Sequence, residues 1–179
     1  MQSILASSLA ASLLVAAPPA PASPAPPADD HLTARVLVDV CLPYAQRSRS
    51  FEKAIAAARE LDFRRPVGDQ APLDEWASEV TLVSRDGVWR LRLEEGSVDD
   101  GDRQAYGISC SLSSRRASAN QLTWLGRRAF NDPRRWSLEG EDARTWRRLV
   151  SHPDEYRLEA QVTDQAGELP ALVIRGFYF

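Results

Sequence analysis

Tyr106-Gly-Ile-Ser-Cys-Ser-Leu112 decides the fold. Read with a period of two, Tyr106, Ile108, Cys110 and Leu112 fall on one face, and Gly107, Ser109, Ser111 and Ser113 on the other. That is the pattern of a half-buried strand, with Cys110 pointing into a core. The chain has one other cysteine, Cys41, in Val36-Leu-Val-Asp-Val-Cys-Leu-Pro-Tyr44. On a helix, Leu37, Cys41 and Tyr44 stack along one apolar stripe. Two core-facing cysteines can pair in only one way, so a single Cys41–Cys110 disulfide is expected to staple an early helix to a mid-chain strand.

Working outward toward the N-terminus, residues 1–27 contain no charged side chain. Ile4 to Val15 is an Ala/Leu/Ser run of signal-peptide length, too short to span a bilayer. Ala20-Pro-Ala22 supplies an A-x-A cleavage pattern, so a Sec-type signal peptide over residues 1–22 is expected, cut after Ala22. The positively charged n-region typical of such peptides is missing. Residues 23–29 read as a stiff Pro/Ala-rich spacer, and residues 30–179 as a single domain. No later stretch is long and apolar enough to cross a membrane. The expected location is therefore the periplasm or the extracellular space, where a disulfide persists.

The periodicities after the spacer give the element order. Asp29 and Asp30 suit a helix N-terminus, and this first helix is expected to stop at Leu42, because Pro43 restricts the residue before it. Ser50 caps a second, alanine-rich helix from Phe51 to Leu61, with Phe51, Ile55 and Ala58 on its buried stripe. A helical turn over residues 73–77 is anchored by Trp76. The period then changes to two: Glu79 to Ser84 and Val88 to Glu94 flank the turn Arg85-Asp86-Gly87. Glu95 to Asp102 reads as an acidic loop leading into the Cys110 strand. Ser114 to Phe130 reads as a third helix, with Leu122, Leu125 and Ala129 inward. Strands follow over 143–150, 156–163 and 169–179, while residues 136–142 fit neither period. Strands here follow strands, so the fold class is α+β: an antiparallel sheet of about five or six strands, with two N-terminal helices and one mid-chain helix on one face.

Composition bounds the function. The net charge is −3, which gives no global pull toward nucleic acid or anionic membrane, and nucleic acid is not expected as a partner. No cofactor motif appears. His31 and His152 are the only histidines and have no second ligand at metal spacing. The acidic stretch makes Asp99, Asp100 and Asp102 a weak calcium candidate, without the spacing of an EF-hand. There is no G-x-S-x-G elbow and no S-x-x-K, and no catalytic constellation is visible, so an enzyme is not expected.

One charge asymmetry stands out. Between Arg115 and Arg148, nine arginines face only four acidic residues, and Trp124, Trp136 and Trp146 interleave with them. Arginine and tryptophan are the residue types most enriched where partners bind, which makes Arg127, Arg128, Arg134, Arg135 and Trp136 candidate partner-binding residues. The expected function is an exported, non-enzymatic protein that binds another macromolecule, as an inhibitor or an envelope accessory factor. The alternative is a small-ligand carrier with a pocket between sheet and helices, lined by Trp89, Tyr106 and Phe177.

Overall fold

The structure, a computed structural model, describes residues 30–69, 73, 77–100, 103–140, 142–153 and 155–179. The expected signal peptide and spacer, and the Trp76 anchor, lie outside them. Seven strands form one sheet: β1 (Glu79–Val83), β2 (Trp89–Asp100), β3 (Arg103–Ser114), β4 (Trp136–Glu139), β5 (Thr145–Arg148), β6 (Tyr156–Thr163) and β7 (Ala171–Tyr178). Their order is β1-β2-β3-β7-β6-β5-β4, with every neighbour antiparallel. Two meanders thus lie side by side, and β7 returns to the middle to join β3.

The class is α+β as expected, but the strand count rises to seven. The added strand is β4, where only Trp136 and Leu138 carry the apolar alternation. Four residues are too few for a period to declare itself. The acidic stretch also differs from its reading as a loop. Residues through Asp100 continue β2, and the β2–β3 hairpin is built from two 12-residue strands. Asp99 pairs with Gln104 and Asp100 with Arg103. Cross-strand backbone bonding overrides the poor strand propensity of Asp and Gly.

One row of side chains crosses all seven strands on the covered face: Val80, Leu93, Cys110, Ile174, Ala160, Trp146 and Leu138. All but Leu138 are buried. Cys110 is third in this row, next to the central Ile174, and is bonded to Cys41, with S–S 2.06 Å and Cα–Cα 5.2 Å. The anticipated disulfide is therefore present, and it ties the first helical run to the middle of the sheet.

That helical run comprises α1 (Asp30–Arg35), a π-helical stretch (Val36–Cys41) and α2 (Leu42–Ala45). It passes through Pro43 instead of stopping at Leu42. A proline ring clashes with the carbonyl four residues back and leaves it without a donor. Here the helix widens, so that the Leu42 N–H bonds the carbonyl of Leu37. The carbonyl of Asp39, four residues before Pro43, accepts instead from the Arg49 guanidinium. Val36, Leu37, Val40, Cys41 and Tyr44 all reach the core.

The second helix, α3 (Phe51–Glu60), packs on the π-helical stretch. Ser50 stands at its N-cap, but its hydroxyl bonds the Glu52 carboxylate at 2.9 Å. The third, α4 (Ala119–Ala129), begins later than expected because Ser113 and Ser114 still belong to β3. Ser118 and Gln121 close a capping box at its start. A Cβ at Gly126 would strike the Trp146 ring, so the glycine lets α4, which packs on β6 and β7, close over the indole that reaches in from β5.

Candidate functional site

All the helices occupy the Cys110 side of the sheet, through the disulfide, the Gly126–Trp146 contact, and α2 packed on β3 and β7. Among the described residues no helix covers the opposite side. The alternation that buries Leu91, Leu93 and Cys110 turns Arg90, Arg92, Ser109, Ser111 and Ser113 outward. Strand order then sets their neighbours. Glu79, Glu94, Ser109, Arg175, Glu159, Arg147 and Ser137 form one row across the open face, and Thr81, Arg92, Ser111, Val173, Gln161, Thr145 and Glu139 form the next.

A trough of about 650 Å3 runs over the middle of this face, with Ser109, Ser111 and Ser113 on its floor and Arg90, Arg92, Arg115 and Arg175 around it. Glu94, Ser109 and Arg175 also line an adjoining hollow of about 510 Å3, which ends at Gly107 and Phe177. Arg92 reaches Glu79 at 2.8 Å and Glu94 at 3.4 Å. Arg175 lies 3.9 Å from Glu159. Arg90 and Arg115 are exposed and make no ion pair among the described residues. Exposed pairs of this kind hold their partners weakly, so an incoming oxyanion competes for them on near-equal terms. Arginine presents a planar fork of donors suited to bidentate carboxylate contacts.

The covered face carries a second polar cluster at the far end of the sheet. It gathers all four tyrosines of the chain: Tyr44, Tyr106, Tyr156 and Tyr178. The Tyr44 hydroxyl donates to the Glu95 carboxylate at 3.1 Å, and the Tyr178 hydroxyl donates to the Ala45 carbonyl at 2.8 Å. Tyr156 and Tyr178 stack with centroids 4.9 Å apart. Arg47 lies over the rings of Tyr106 and Tyr178, at 5.4 and 5.0 Å. Burial pushes all four phenols above their ordinary pKa, and the Glu95 carboxylate adds to this at Tyr44 and Tyr106. Tyr44 and Tyr178 fasten α2 to the sheet through these two hydrogen bonds, while Tyr106 stays exposed at the edge of the cluster.

The arginine–tryptophan segment separates into two layers. Arg127 and Arg128 are exposed on the last turn of α4, and Arg134 and Arg135 are exposed in the turn before β4. Arg128 lies 4.9 Å over the Trp124 ring, and Arg135 pairs with Asp132 at 3.3 Å. Trp136 is only 7% exposed, with its ring centroid 4.6 Å from that of Phe130. Trp146 packs on Phe130 from another side. The arginines therefore form a surface patch, while Trp136 and Trp146 anchor the core beneath it.

The other sequence candidates are dispersed. Trp89 pairs with Ser114 and Tyr106 with Ser97, at opposite ends of the β2–β3 hairpin. Phe177 turns toward the open face, away from Tyr106. Asp99 is exposed near the hairpin tip, Asp100 follows it in β2, and Asp102 lies outside the described residues. Among the described residues no three His, Cys, Asp or Glu side chains converge as a metal site. His152 is exposed in the turn before β6, on another part of the surface from Ser109 and Ser111.

The open-face arginines carry no motif in the sequence. Their outward direction is legible in the alternation of β2, but their grouping depends on β7 lying beside β3. No protein-family model matches the chain, and no curated protein or solved structure is significantly similar to it. Among the described residues no helix is long and apolar enough to cross a membrane.

Proposed function

We propose that this is an exported, non-enzymatic protein that binds another macromolecule through the uncovered face of its sheet. The observation that carries this reading is the contrast between the two faces. One is covered by the helices and stapled to them by a disulfide, while the other carries no helix among the described residues and is furrowed by an arginine-rimmed trough. A sheet held from behind is a suitable platform for recognition, since the backbone that spaces its side chains is fixed before a partner arrives. Export is supported by the Cys41–Cys110 bond, of a kind that oxidising compartments retain, and by the uncharged apolar run at residues 4–15. The carrier alternative draws less support, because Trp89, Tyr106 and Phe177 do not converge on one pocket.

Capture of binding material from an envelope extract, analysed for both protein and carbohydrate at low and high salt, tests the proposal. Three forms of the oxidised domain are compared: the natural sequence, Arg90→Glu with Arg115→Glu, and Arg127→Glu with Arg128→Glu. Salt-sensitive capture that the first pair abolishes and the second pair leaves intact is the expected result. Capture lost only in the second pair would move the site to the α4–β4 patch and overturn the assignment to the open face.

A further inference from the structure

Resting on the open-face reading, we propose that the trough over β2, β3 and β7 is a binding site for an acidic saccharide, held through its carboxylates and hydroxyls. The charge balance comes first. Four guanidinium groups, those of Arg90, Arg92, Arg115 and Arg175, line the trough; Arg92 is held by Glu79 and Glu94, Arg175 lies 3.9 Å from Glu159, and Glu168 is the one further carboxylate of the lining. Glu94 is already engaged by Arg92, and Arg90 and Arg115 have no carboxylate partner among the described residues. An oxyanion-bearing ligand is what this surplus fits.

The floor narrows the class. Ser109, Ser111 and Ser113 project from alternate positions of β3, spaced about 7 Å apart along the strand. Ser113 is 9% exposed, yet its hydroxyl makes no hydrogen bond among the described residues. That hydroxyl opens into the trough, where it meets water in the free protein and where a ligand hydroxyl or carboxylate can take the water's place. Gln165 adds an amide at the rim. A ligand that answers hydroxyls and guanidiniums together is itself rich in hydroxyls and anionic.

The lining also argues against other polyanions. A peptide strand binds a sheet through a free backbone edge and pockets for alternate side chains. Here the backbone of β3 is already paired on both sides, with β2 and β7, and the apolar lining amounts to Leu169, Ala171 and Val173. Single-stranded nucleic acid calls for aromatic platforms, and no aromatic ring lines the trough.

The test is calorimetric titration of the oxidised protein with oligogalacturonate, a polyglutamate peptide of matched charge, and a neutral malto-oligosaccharide. Oligogalacturonate is expected to bind with an affinity that falls as salt rises, and the neutral sugar to give no signal. Arg90→Ser with Arg115→Ser should weaken binding about tenfold or more, since each removes a charge-assisted contact. Both side chains are exposed, and an unchanged melting temperature would show that the fold is intact. Polyglutamate binding as tightly as oligogalacturonate, or absence of oligogalacturonate binding, would overturn the saccharide assignment. If envelope capture still depended on Arg90 and Arg115, the open-face reading would survive that failure. Indifference of both capture and titration to the two arginines would overturn both.

Discussion

Gly176 of β7 lies directly beneath the carbonyl oxygen of Ala45, the last residue of α2, with no space for a methyl group between them. The same carbonyl accepts the Tyr178 hydroxyl at 2.8 Å, so helix and strand meet at their closest where a hydrogen bond fastens them. Gly176→Ala is expected to push α2 off the sheet and to cost about 1–3 kcal/mol, as overpacked cores do. Urea denaturation monitored by tryptophan fluorescence reads this out. An unchanged midpoint would mean that α2 is not seated on β7.

Two neighbouring tyrosines should respond in opposite ways to the loss of a hydroxyl. Tyr178→Phe strands the Ala45 carbonyl and is expected to cost about 1 kcal/mol. The Tyr156 hydroxyl is buried without a hydrogen-bond partner of good geometry, so Tyr156→Phe removes a desolvated polar atom at no loss of bonding and should be neutral or slightly stabilising. Thermal melts of the two single variants, side by side, check the contrast.

The four phenols also set the alkaline limit of stability. Each has its pKa raised above the ordinary 10.0, chiefly by burial. The fold therefore favours the neutral phenol. That contribution is fully present below pH 10 and is lost as the pH rises above it, through the folded-state values. Tyrosinate absorbance in the native protein should lag behind that of the unfolded chain and appear together with loss of the fold. A reversible titration at the ordinary pH with the fold intact would contradict the packing described for Tyr44 and Tyr178.

The Cys41–Cys110 bond closes a loop across 69 residues of sequence. On the chain-entropy account, removing it costs about 4 kcal/mol. Paired Cys41→Ala and Cys110→Ala substitutions should lower stability by roughly that amount in chemical denaturation, whereas a reductant should leave the variant unaffected. Intact mass before and after reduction should differ by two hydrogens in the natural sequence.

How far these features could be read from residues alone varies with their physical origin. Local alternation was enough to orient Cys110, Leu91 and Leu93 inward, and apolar stacking of Leu37, Cys41 and Tyr44 was enough to pair the cysteines. Features that depend on a distant partner were not legible. Pro43 looked like a helix end because the rescue comes from Arg49 and a widened turn. Glu95 to Asp100 looked like a loop because the pairing that makes it a strand is supplied by residues 103–108. The trough is not legible in the sequence for the same reason: nothing near Ser109 announces that Arg175 will stand beside it. The tryptophans of the arginine-rich segment illustrate the converse, since composition cannot tell an exposed Trp136 from one packed on Phe130.

Strand order has a consequence for how the molecule comes into being. The strand that joins the two meanders, β7, follows in the chain every strand it brings together. Until residues 171–178 arrive, β3 and β6 each present an unpaired edge, and unpaired edges invite association with other chains. A polypeptide emerging N-terminus first, from a ribosome or through a translocation pore, thus cannot complete its sheet early. Cys41 and Cys110, by contrast, are both out well before β7, so covalent closure can precede sheet closure and hold β3 against the first helix while its last neighbour is still awaited.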